Sequence, residues 1–344
     1  MEDNMSNLTK TPTLDRSIKD WQALWSGILF SAVFTLIIWA AGENLTRFRE
    51  ILLPDTGATW YYWKLPEPTL ITRLSAWGLY ALHQVFFWGL IYYAQTNVKR
   101  YSSNLQRINW IALLGNALFI TLHFAQTHLF YDGLAQDVSI FSSQGSVILL
   151  LVWVIVLENK RRGFIWGHKL PLNQRVNQIA REYHGYVFAW AAVYTFWYHP
   201  MENTAGHLVG FFYMFLLLLQ GSLLYTRVHT NRLWVVVQEA TVLIHGTMVA
   251  WLQAGTTGFW PMFFFGFLSI FVLTQMHGLG FSKRTRWLIS AAFVLSIVGT
   301  YAWRGWGNLN EVIRIPVIEY LCALLLIGIF WVWSKVKQQR QSAA

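Results

Sequence analysis

Long apolar runs nearly free of charge constrain this chain more than any other feature it has. Each is about 18–24 residues, long enough to cross a hydrocarbon core ~30 Å thick as an α-helix. Spans are expected at roughly 22–42, 76–96, 108–131, 142–158, 184–199, 206–226, 231–253, 258–277, 287–304 and 315–333. The fold class this predicts is an all-α polytopic membrane protein of about ten transmembrane helices, a single integral membrane domain over 1–344. Only 12% of residues are charged, against about a quarter in soluble domains.

The basic residues give the expected sidedness. All but six of the 26 Lys and Arg fall in the two tails or in alternate loops. The six are Arg47, Arg49, Lys64, Arg73, Arg304 and Arg314. Cytoplasmic loops carry the excess of Lys and Arg, so both termini are predicted to be cytoplasmic, in what is expected to be a bacterial cytoplasmic membrane. The same bias accounts for the net charge of +10 without a nucleic-acid partner. The lone Cys322 excludes an internal disulfide, a CxxC pair and a thiolate metal cluster.

Four connecting segments are polar. Residues 1–21 form a tail without a cleavable signal pattern, and 334–344 form a second. The outer loop 43–75 carries Trp60, Tyr61, Tyr62 and Trp63, a run suited to the headgroup level or to a lid. In the inner loop 159–183, Val176, Ile179, Ala180 and Tyr183 recur at helical spacing. That pattern predicts a short amphipathic helix on the membrane surface.

Histidine is the residue type left to carry chemistry. In Trp197–His207, Pro200 ends one helix and places His199, Glu202 and His207 in a short outer link. At 1.5 Å rise per residue, His83, His123 and His245 are expected roughly 10–12 Å below the outer surface, on three helices. His128 ends the third span, and Asp132 and Glu319 are placed near the same face as further ligands or their partners. On the third span Asn116, His123 and Thr127 share one polar stripe; Gln238 and His245 do so on the seventh. Glu239 lies toward the inner side, placed for a proton route or a hydrogen bond to a neighbouring helix.

Imidazole is the commonest side-chain metal ligand, and intramembrane ionisable residues usually serve function. The leading expectation is a membrane-embedded metalloenzyme with a His-rich centre in the outer third of the bundle. Its metal ligands would be His83, His123, His245, His207, His199 and His128, with Glu202 and His199 catalytic. Iron or copper would make it an oxidoreductase, zinc a hydrolase. Its substrate would be lipophilic (a lipid, quinone or isoprenoid), reached from the surrounding membrane lipids, with a redox partner for the oxidative case. The adjacent His-His pairs that mark membrane desaturases are missing. Two alternatives use the same residues: a b-type haem protein ligated through His123, His207 or His245, and an ion- or proton-coupled transporter.

Overall fold

The computed structural model describes residues 18–54 and 62–342. The first seventeen residues, and Trp60 and Tyr61 of the aromatic run, lie outside the described residues. The described chain is helical throughout: α1 (Asp20–Ala41), α2 (Thr46–Arg49), α3 (Leu70–Asn97), α4 (Arg107–Phe130), α5 (Ile140–Arg162), α6 (Gln174–Tyr198), α7 (Ala205–Ser222), α8 (Arg232–Ala254), α9 (Trp260–Leu273), α10 (Lys283–Arg304) and α11 (Glu311–Ser342). Among the described residues, nine helices are long and apolar enough to cross a membrane. This is a multi-pass integral membrane protein. Large apolar side chains cover its outside, Trp287 at 76% exposure and Leu295 at 69% among them, as expected where the solvent is hydrocarbon.

α6 is outside that set of nine for a reason visible in its sequence. The surface helix expected near 176–183 and the span expected at 184–199 are one continuous helix. Nothing between them breaks helical geometry, so the polar first turns lower the average of an apolar second half. Val176, Ile179 and Ala180 are buried against α5 and α11 rather than turned to lipid.

Helix ends follow local signals. Thr204, Asn231 and Ser282 cap α7, α8 and α10 by accepting backbone N–H groups of the first turn, as short polar side chains do. α4 ends at Tyr131, whose φ of +47° is left-handed, a conformation uncommon for a non-glycine residue. Two ends of the bundle result. The basic end gathers the loops around Lys99, Arg162, Arg227 and Lys283, tied by a Ser102–Thr226 bridge and an Arg286–His277 contact. The opposite end carries His199 and His207 and is called the His face below.

At the His face the α6–α7 link is sunk beneath a cap. α2, the segment from Tyr62 to Thr69 and the stretch from Tyr131 to Val138 lie over it. Arg49 reaches Glu202, Leu65 exchanges backbone hydrogen bonds with the Gln136 amide, and Phe48 stacks on Tyr131 at 4.9 Å. Gly133 is required there, because a Cβ would meet the Tyr198 carbonyl oxygen at 2.5 Å.

Candidate functional site

Of the four half-buried imidazoles at the His face, three lie close together. His199 follows α6, His207 is on the first turn of α7, and His245 is on α8; all three are half-buried. The His199 and His207 rings meet edge to face at 5.4 Å. His207 Nδ1 is 2.8 Å from the Thr204 hydroxyl, the group that also caps α7. The Trp63 ring lies across His207 at 5.1 Å, so the aromatic loop folds over the site. His245 Nε2 lies 3.0 Å from where a Cβ on Gly210, one turn below His207, would be. His199 is within electrostatic reach of His207, His245 and His123. Burial, and then those imidazoles, holds its pKa well below the ordinary 6.5.

The other expected ligands are placed differently. His83 lies about 20 Å down α3, since that helix starts at Leu70 instead of near 76, and so it is deeper than the matched level expected for it. Its Nδ1 accepts from Trp197 Nε1 at 3.1 Å, and its Nε2 lies 2.8 Å from the Asn116 amide oxygen. Asn116 in turn donates to the Leu218 carbonyl and the Ser222 hydroxyl, so both nitrogens of His83 are engaged in holding α3, α4, α6 and α7 together. His123 is sealed, stacked on Trp197 at 4.3 Å and edged by Phe196 and Phe211. His128 turns toward α1, its Nδ1 2.9 Å from the Phe124 carbonyl oxygen. Imidazoles therefore run from mid-bundle to the His face as a row, not as one shell.

The carboxylates are spoken for as well. Glu202, fully buried, accepts from Arg49 Nη2 at 2.6 Å, from Arg49 Nε at 3.1 Å and from the Tyr131 hydroxyl at 2.5 Å. The left-handed turn at Tyr131 thus aims a phenol at the carboxylate. Arg73 binds Asp132 at 2.8 Å and also Asp137. Burial raises the Asp132 carboxyl above its ordinary range, with Arg73 and the Gly133 amide opposing the rise. Among the described residues, no three His, Cys, Asp or Glu are grouped so that they could hold a metal ion. The donor set does not fit one in this arrangement.

A second site was not assembled by the sequence reading. On the basic side of the bundle, Arg162 donates to both oxygens of Glu239 at 2.7 Å each. Glu319, expected near the His face, stands instead beside this pair. It is 1% exposed and neither of its oxygens has a hydrogen-bond partner. Arg162 Nε likewise has none. All three side chains line one cavity of about 280 Å³ between α5, α8, α9 and α11. From His245 down to Glu239 on α8 is about 9 Å of helix rise. On α7 the same descent leads from His207 to the buried Tyr213, which is within electrostatic reach of Glu239.

One signal for this cavity was legible: Glu239 and Glu319 are carboxylates inside apolar runs. Arg162 was hidden as the last of Lys160-Arg161-Arg162, a run that reads as cytoplasmic charge. Arg49 and Arg73 were hidden for the opposite reason, as exceptions to the charge bias. Comparison with protein-family models, with curated proteins and with solved structures finds no match for this chain.

Proposed function

We propose that this protein is a proton-coupled membrane carrier. The observation that supports this best is Glu319, a carboxyl buried in the bundle with neither oxygen partnered, next to the Arg162–Glu239 pair. Isolated ionisable groups in a membrane interior are expensive and mark ion and proton pathways. The half-buried imidazoles of His199, after α6, His207 on α7 and His245 on α8 lie above it, and imidazole exchanges protons near neutral pH. In this reading the basic face is cytoplasmic, α6 is the tenth span and both termini are inside. The test is proton uptake into proteoliposomes under an imposed potential. Wild type should exceed empty vesicles and Glu319→Gln should fall to their level. Equal uptake by wild type and variant overturns the reading.

A second reading keeps the outer imidazoles as ligands of iron, copper or zinc in an enzyme acting on a lipophilic substrate. It is favoured by three half-buried rings from separate elements at one opening, and requires them to turn toward a common point. Elemental analysis of purified protein separates the two. Metal lost in His199→Ala and His245→Ala but kept in His229→Ala, at the basic end, supports the metal site; sub-stoichiometric metal throughout ends it.

A further inference from the structure

The Glu319 cavity also has a chemical preference. With Glu319 ionised its three titratable side chains would sum to one negative charge, because the only ion pair among them, Arg162–Glu239, leaves Glu319 bare. An uncompensated carboxylate in a medium of low dielectric is strongly disfavoured and reverts to the neutral acid, so Glu319 ionises there only together with a cation that enters beside it. The cavity offers two carboxylates, one of them already paired with Arg162, and among the described residues no three His, Cys, Asp or Glu are grouped to hold a metal ion.

Apart from Gln275, the remaining wall is hydrocarbon. Leu243, Phe267 and Phe271 line it, and ring faces near a cation add attraction. The volume of about 280 Å³ is at the small end of the range for organic ligands. Ile244, also lining the cavity, is 57% exposed on the bundle's outer surface. The cavity therefore borders the side of the protein that meets lipid, which gives a membrane-dissolved molecule a lateral route to it.

We infer that this cavity binds a small lipophilic amine as its ammonium ion, with Glu319 as counter-ion and the α8–α9 wall holding the apolar body. The Arg162–Glu239 pair keeps the second carboxylate occupied, so that one site takes one cation. The inference rests on the carrier reading only in making the amine a cargo; binding itself needs no transport.

The test uses radiolabelled 2-phenylethylamine and the full-length protein in detergent, with 2-phenylethanol as a neutral competitor of nearly the same shape. Saturable amine binding is expected, at least tenfold weaker in Glu319→Gln and unchanged in Asn308→Ala, an exposed position in the loop after α10. The alcohol should compete at least tenfold less well than unlabelled amine. Ala240→Phe, which narrows the cavity while keeping all three charges, should abolish binding and guards against a folding defect in the first variant. Equal competition by the alcohol, or undiminished binding in Glu319→Gln, overturns the inference. Amine binding without proton uptake in vesicles sinks the carrier reading alone; proton uptake without amine binding sinks this inference alone.

Discussion

Trp197 shows how one side chain ties the site to the scaffold. Its indole N–H donates to His83 Nδ1 while its ring face stacks on His123. Trp197→Phe keeps most of the apolar area and removes the donor, leaving a buried ring nitrogen unsatisfied. A loss of about 1–3 kcal/mol is expected, read as a lower unfolding midpoint in detergent; an unchanged midpoint would show that the hydrogen bond is dispensable. His199 carries the pH dependence. Its depressed pKa means that the unfolded chain takes up a proton below pH 6.5 while the folded chain does not. The stability it contributes is present above that pH and is lost on acidification, by up to about 1.4 kcal/mol per pH unit until the folded pKa is reached. His199→Gln should therefore flatten the fall in unfolding midpoint below pH 6.5. An identical slope in the variant would assign the acid sensitivity to other groups.

Among the elements, the cap over the α6–α7 link is the feature that hydropathy cannot supply. Its parts are short, separated in sequence, and joined by ion pairs between Arg49 and Glu202 and between Arg73 and Asp132 and by the packing of Phe48 and Leu65 with Tyr131. Gly133 lets the stretch after α4 approach the end of α6 closely. Gly133→Ala places a methyl against backbone that cannot swing away, so the cap should lift. Faster protease cleavage within residues 62–69 and a midpoint lowered by about 1–3 kcal/mol are the expected results; cleavage at the wild-type rate would mean that a methyl is accommodated there. The helices themselves were readable because span length and apolar content are local properties. α6 was misdivided because a polar half and an apolar half look like two elements when no breaker is weighed between them.

For the whole molecule, sidedness is the claim that most needs a direct measurement. In a Cys322→Ser background, Lys99→Cys at the basic face and Asn308→Cys in the loop after α10 can be labelled with a membrane-impermeant maleimide. Right-side-out vesicles should label the second and protect the first; the reverse would invert the topology and place the imidazoles inside. Either result leaves the bundle intact, because its packing does not depend on which way it was inserted.

What the sequence determined by itself was the solvent and the inventory. Long uncharged runs require lipid around them, because an apolar helix that long has no stable place in water. Histidines at helix ends and carboxylates within spans announce costly groups that need a use. Tertiary structure alone decided which costs were met. His83 and Glu202 are satisfied by Trp197, Asn116, Arg49 and Tyr131, partners remote in sequence, whereas Glu319 is buried beside an ion pair that leaves it without a hydrogen-bond partner. A hydrogen bond is a matter of a few tenths of an ångström between distant segments, and no periodicity along the chain encodes that distance.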